Sequence, residues 1–264
     1  MINLEEFENE CSLIREQTPL IHNITNYPAM NFTANVLLAL GASPLMSFAE
    51  EEMEEIVSRC NALVVNIGCI DRFQIKSIEH AVQTASSLGK RWVFDPVGIG
   101  ISKLRSEFST RLITQYQPSV IRGNASEILF LAGENVEGRG VDSLCESSMA
   151  IEKAQHLAHS TGSIVAVSGK VDYITDGNRV CEIHNGDPIM GSVTAMGCAS
   201  TAVIGAFLSV SVDAFQATTH AVALMGLAGE KSAQNSKGAG SFVVNFLDTL
   251  YNFNPKEDGK FMRA

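Results

Sequence analysis

The sequence predicts an α/β protein with a mostly parallel central sheet covered by helices on both faces. Short apolar runs at 62–66, 91–95, 119–122 and 163–168 read as buried strands, and segments of helical period separate them. Gly41 and Gly89 each close a helical segment just before a strand run. The pattern changes only at 172–183, where two β-type runs flank Asp176-Gly177-Asn178, a hairpin signal.

In chain order, residues 3–17 set Leu4, Phe7, Cys11, Leu13 and Ile14 at helical spacing with acids on the other face. Residues 19–28, bounded by Pro19 and Pro28 and rich in amides, read as too polar for a strand interior. A second helix at 30–40 leads into a short strand at 42–47. Residues 50–60 and 71–88 are helical, as are 103–116, 126–131 and 144–160, the last with Asp142 or Ser143 as its cap. After the hairpin come three successive helices, 198–210, 213–234 and 241–251. The tail beyond Asn254 is charged and reads as loosely held. No linker, repeat or low-complexity stretch divides the chain, so 1–264 is expected to be a single domain.

Composition narrows the function. A chain of 264 residues, 45% hydrophobic and 18% charged, is that of a globular protein with a substantial core. A net charge of -10 argues against nucleic acid or an anionic membrane as main partner, yet allows an anionic ligand in a local site. The six cysteines show no CxxC, so neither a zinc site nor a disulfide framework is indicated. The acidic start lacks a signal-peptide pattern, and no apolar run reaches membrane-spanning length; a cytoplasmic location is expected.

The stretch 193–210 carries the first candidate chemistry. Small residues, Thr194 to Gly197, precede Cys198 just where an apolar helical run begins. Unpaired N–H groups and a partial positive charge make a helix start an anion site and favour a thiolate placed there, so Cys198 is a candidate base or nucleophile. Read alone, the stretch is more simply a buried helix with a core cysteine. Clusters at other strand ends weigh against that. Asp95-Pro96-Val97-Gly98 puts a carboxylate at the carboxyl end of a strand, where open α/β sheets hold their ligands. Arg122 to Glu127 puts a cation, a glycine, an amide and an acid at another, although Asn124 or Ser126 also suits a helix cap and Glu127 a first-turn acid. Ser168 ends a third strand, in VSGK (167–170), which fails as a P-loop because Val171 stands where Ser or Thr is required. Asn23, Thr25 and Asn26, with Met46, are candidates to line a polar pocket or are simply turn amides and a core methionine. No GxGxxG follows an early strand, no HExxH occurs, and His80, His156, His159 and His220 read as helix-face residues.

Taken together, PLIHNITNYPAMNFTANVLLALGASPLM (19–46), VVNIG (64–68), WVFDPVGIG (92–100), VIRGNASEI (120–128), GKVDYITDG (169–177), VTAMGC (193–198) and GSFVVNFLD (240–248) resemble hydroxyethylthiazole kinases of the ribokinase-like superfamily. The resemblance covers nearly the whole chain. It implies a three-layer α/β/α fold and transfer of the ATP γ-phosphoryl group to the primary hydroxyl of 4-methyl-5-(2-hydroxyethyl)thiazole, with Mg²⁺, in thiamin salvage. By the same match Arg122, Ser168, Met196 and Gly197 contact ATP, while Asn26, Met46 and Ala195 meet the thiazole. Asp95 and Glu127 support Mg²⁺, partly through water. Cys198 stands where related sugar kinases carry an Asp base, and orients the acceptor hydroxyl or takes its proton late. A homotrimer with active sites at subunit interfaces is implied as well. One departure stands out: the family pattern Gly-x-Gly-Cys reads Ala195-Met196-Gly197-Cys198 here, and a Cβ at 195 disfavours positive φ and narrows the approach of backbone to ligand. Two rivals share the fold: an ATP- or ADP-dependent hydrated-nicotinamide dehydratase, against which Cys198 counts, and a thiazole- or nucleotide-binding module without turnover, which Ala195 motivates. A covalent cysteine hydrolase needs a histidine beside Cys198.

Overall fold

The structure, a computed structural model, describes residues 2–134 and 147–264. The first half runs α1 (Leu4–Gln17), β1 (Leu20–Ile24), α2 (Tyr27–Leu40), β2 (Ser43–Met46), α3 (Met53–Arg59), β3 (Ala62–Asn66), α4 (Arg72–Ser87), β4 (Trp92–Asp95), α5 (Lys103–Tyr116), β5 (Val120–Asn124) and α6 (Ala125–Leu131). It continues with α7 (Ile151–Thr161), β6 (Ile164–Ser168), β7 (Asp172–Thr175), β8 (Val180–Ile183), α8 (Met196–Val210), α9 (Ala214–Gln234), α10 (Ala239–Tyr251) and α11 (Pro255–Asp258). The proposed caps Asp142 and Ser143 lie outside the described residues.

The strands form one sheet in the order β2-β1-β3-β4-β5-β6-β7-β8. The first six are parallel, and the predicted hairpin β7–β8 extends the sheet antiparallel. Period-two alternation divides the core into two layers. Val64, Val93, Val120 and Ala166 face α1, α2, α8, α9 and α10, whereas Val65, Phe94, Ile121 and Val165 face α3 to α7. Strands buried on both faces must be apolar throughout, which is why they read as continuous runs. Helix α8 lies close on the sheet because Gly205 leaves room: a Cβ there would stand 2.8 Å from the Val64 side chain.

Two expectations fail. Residues 20–24 are a strand after all, buried between β2 and β3, because their polar groups find partners inside. Asn23 Nδ2 donates to the Ile21 carbonyl, and the His22 ring meets the Ser47 carbonyl at 3.2 Å. Burial pulls His22 down to about 4, so the ring is neutral at physiological pH and suits an interior strand. His220 lies on a helix as expected, on the buried face of α9, with Nδ1 2.6 Å from Glu10 of α1. The tail is held, not loose. Lys231 pairs with Asp258, and Arg263 pairs with Glu230.

Candidate active site

The carboxyl ends of β3, β4, β5 and β6 each present a polar residue toward α8. Alternation dictates this. Asn66, Asp95, Arg122 and Ser168 sit two residues beyond Val64, Val93, Val120 and Ala166, all of which face that layer. The register sets Asn66 directly beside Asp95.

Above them starts α8. Its N-cap is Ala195, with φ 70° and ψ 2°, and no side chain caps the helix. The N–H groups of the first turn are thus left to a ligand. The predicted start at Cys198 moves to Met196, so Cys198 occupies the third helical position. Ala195 therefore keeps the left-handed conformation that glycine adopts freely, at a cost of about 1–2 kcal/mol. Replacing Ala195 with Gly relieves that strain and gives back about 0.4–1 kcal/mol through the freer unfolded chain. The expected net is a small gain, a rise of up to about 2–4 °C in Tm by scanning calorimetry; a lower Tm would show that the backbone at 195 is relaxed.

Cys198 sits in an amide cradle. Asn26 Nδ2 and Asn66 Nδ2 each donate to its Sγ, both at 3.2 Å. Asn26 Nδ2 also donates to Asn66 Oδ1 at 2.9 Å, and Asn66 Nδ2 to Asp95 Oδ2 at 2.7 Å. Thr201, one turn along α8, donates to the same Asp95 oxygen at 2.8 Å. Gly68 makes the cradle possible, since a Cβ there would stand 2.8 Å from Asn26 Nδ2. The expectation of a favoured thiolate is overturned. Burial first, then the neighbouring Asp95 charge, push the Cys198 thiol up to about 11, which outweighs the two amide donors and Arg122. At neutral pH the group is a thiol.

Asp95 is fully buried, and burial pushes its carboxyl above the usual range despite Arg122, Thr201 and Asn66. Its Oδ1 has no hydrogen-bond partner among the described residues. Glu127 closes a capping box: Asn124 Oδ1 accepts from Glu127 N at 3.0 Å while Glu127 Oε2 accepts from Asn124 N at 2.8 Å. Its Oε1 accepts from Gly98 N at 3.0 Å. Burial and then Asp95 repulsion raise Glu127 to about 7. The capping role is thus present, and it fixes the carboxylate beside Asp95. No three His, Cys, Asp or Glu side chains gather around one point among the described residues, so no resident metal cage exists there. Two hard carboxylates at neighbouring strand ends, one with a spare oxygen, do fit an ion that arrives on phosphates and keeps its waters.

A cavity of about 660 Å³ opens beside the start of α8. Arg122, Ser168, Met196 and Gly197 line it, four residues that the resemblance implies for ATP. Gly197 packs directly on Arg122, since a Cβ at 197 would lie 2.6 Å from Nη1. Asn26, Met46, Ala195, Cys198, Asp95 and Glu127 lie outside this cavity's wall. Sequence reasoning missed Asn66, Thr201 and the loop 184–190, which supplies much of the far wall. Asn66 carried a signal, a polar residue ending an apolar strand as Asp95 does; the loop carried none. Among the described residues no histidine contacts the thiol, and the covalent-hydrolase reading loses its base.

The family model of the hydroxyethylthiazole kinase family matches residues 11–256. A hydroxyethylthiazole kinase of Brachyspira hyodysenteriae is 46% identical over 247 residues, covering 94% of this chain and 93% of its own. One of Tolumonas auensis is 49% identical over 240 residues, covering 90% of each. The solved hydroxyethylthiazole kinase protein of Pyrococcus horikoshii superposes with a TM-score of 0.90 at 39% identity, over 98% of both chains. A ribokinase-like superfamily protein of Enterococcus faecalis, 12% identical, shares the fold with a TM-score of 0.70 over 97% of this chain and 95% of its own. With its three-layer ribokinase-like fold, this chain belongs to the hydroxyethylthiazole kinase family.

Proposed function

We propose that the protein phosphorylates the primary hydroxyl of 4-methyl-5-(2-hydroxyethyl)thiazole with ATP, in thiamin salvage. The observation that carries this is the placement of the Cys198 thiol, cradled by Asn26 and Asn66, in the first turn of a helix whose start also lines the Arg122–Ser168 cavity. ATP occupies that cavity, with Arg122, Ser168, Met196 and Gly197 as contacts. The thiazole lies on the other side of the helix start, against Asn26, Met46 and Ala195. The acceptor oxygen bonds to the γ-phosphorus, the bond from that phosphorus to the bridging oxygen breaks, ADP leaves, and the hydroxyl proton passes to solvent.

A loose transition state asks for alignment and charge neutralisation more than for a strong base. The N–H groups from Ala195 to Cys198 and the Arg122 guanidinium supply that neutralisation. Mg²⁺, when bound, screens the phosphate oxygens; Asp95 and Glu127 are the residues that would hold it, partly through water. Cys198, a thiol whose sulfur takes two amide N–H bonds, turns its own S–H to the acceptor hydroxyl and aligns it. Cys198→Ala is therefore expected to lower kcat by about 10-fold, below the usual range for losing a general base. Cys198→Asp keeps both amide donors occupied and preserves or raises kcat. Steady-state kinetics decide: loss of all turnover in both variants, with fold and ATP binding intact, would sink this role.

Incubation with ATP, Mg²⁺ and the thiazole alcohol tests the function itself. Appearance of the phosphorylated alcohol is expected, and tight binding without product would favour the binding module. Neither rival gains an observation, since Ala195 keeps the loop conformation of a glycine. A cytoplasmic homotrimer completes the reading. No helix among the described residues is long and apolar enough to cross a membrane. Tyr27, 61% exposed, packs on Phe48 two residues beyond Met46, so an apolar surface borders the thiazole side where a second subunit would close it. Light scattering reads the assembly directly.

A further inference from the structure

The far wall of the cavity is the loop 184–190, which leaves β8 at the sheet's last edge. What holds it there is not the sheet. On one side it lies against α9, where glycines permit the approach: a Cβ at Gly226 would stand 2.6 Å from the Asn185 carbonyl oxygen, and one at Gly229 would overlap the Met190 sulfur. Glu230, further along the same helix, and the segment 259–263 complete its support. Asn185 Nδ2 donates to Glu230 Oε2 at 2.9 Å and to the Phe261 carbonyl at 3.1 Å, and its Oδ1 accepts from Arg263 N at 2.6 Å. Gly186 N donates to Glu230 Oε1 at 3.1 Å. The Arg263 guanidinium spans both Glu230 oxygens and donates to the His184 carbonyl, and His184 N donates to the Arg263 carbonyl.

Asn185 is 3% exposed and spends every one of these side-chain bonds on α9 and the tail. The loop's polar anchors therefore include two side chains, Glu230 and Arg263, that do not line the cavity. Their ion pair is half exposed at Arg263 and adds little to global stability. Its consequence is geometric, because a ligand wall displaced by about an ångström loses contacts that no other residue replaces.

We propose that Arg263 and Glu230 are positioning residues for the nucleotide, fixing through Asn185 the wall that ATP packs against. This rests on the reading of the cavity as the ATP pocket. It separates the two substrates, since among the described residues no hydrogen bond or ion pair joins the tail to Asn26, Met46 or Ala195.

The test combines calorimetric titration of a non-hydrolysable ATP analogue with steady-state kinetics for Arg263→Ala, Glu230→Gln and the double variant. Each single variant should raise the nucleotide Kd and the KM for ATP by about 5- to 10-fold, the low end of measured couplings between sites. The double variant should be no worse than the larger single one, as expected for partners in one network. KM for the thiazole alcohol and kcat at saturating ATP should stay within about twofold of wild type. Arg263→Lys, which keeps the charge without the two-pronged contact, should fall between. Nucleotide affinity unchanged in both single variants overturns the proposal. So does an equal rise in both KM values accompanied by a lower Tm, which is the mark of a merely structural role. A wild-type protein that binds no ATP analogue would instead defeat the reading of the cavity, and the proposal with it.

Discussion

Asp95→Asn is expected to lower kcat by about 100- to 1000-fold while leaving the fold as stable as wild type or more so. The change is isosteric in a fully buried site. Its retained oxygen can take the place of Oδ2 and accept from Asn66 and Thr201, as Asp95 does at 2.7 and 2.8 Å. The new NH₂ replaces Oδ1, which has no partner to lose among the described residues. Removing a charge from an interior that resists it relieves desolvation, and active-site charges commonly cost stability for this reason.

What disappears is the negative charge between the cradle and Arg122. The variant also separates two roles for Asp95. If Asp95 served only to orient Asn66, and Asn66 the thiol, the Asp95→Asn variant would keep that chain of bonds and most of the activity. If its charge is needed for the phosphate-borne cation, the chain survives and turnover does not. Circular dichroism and Tm establish the fold, and single-turnover kinetics read the chemical step. A variant within fivefold of wild type would show that the carboxylate is a scaffold and would leave the cation to Glu127.

The fold is legible in the sequence because its strands are buried on both faces, and such runs can hardly be anything else. β3 matches its predicted bounds for that reason, and the helix α5 matches its own, starting just after its Ser102 cap. β1 is not legible, because His22 and Asn23 find partners only once β2 and β3 are in place. The strand-end residues are visible one by one, yet their convergence on α8 follows from register, which no local pattern states. Asn66 illustrates the limit: it ends a strand that the sequence marks clearly, but its worth lies in Asp95 beside it and Cys198 above it. The thiol fails in the opposite sense. A helix start does favour an anion, but the sequence cannot say how deeply the sulfur is buried or that Asp95 stands near. The tail reads as loose when charge alone is weighed, and its charges are spent on Glu230 and Lys231.

Gly197→Ala carries the second large effect, and it runs through space, not conformation. Gly197 holds a helical position with no positive φ, so alanine suits the backbone and adds up to about 1 kcal/mol of helix propensity. The new methyl would stand 2.6, 3.2 and 3.3 Å from Nη1, Nη2 and Cζ of Arg122. A guanidinium at the end of a flexible side chain can retreat, so the protein folds with Arg122 driven from its place in the cavity. The methyl also covers the N–H groups at the start of α8. Loss of a preorganised cation and a partly blocked anion site should lower kcat/KM for ATP by about 100-fold or more, with Tm equal to or above wild type. A double-mutant cycle apportions the effect. Arg122→Ala alone should cost as much, and adding Gly197→Ala to it should cost little further if the glycine acts through the arginine. A full second loss in the Arg122→Ala background would instead place the need for glycine in the backbone's own approach to phosphate. Wild-type kcat/KM in Gly197→Ala would remove both residues from the phosphate site.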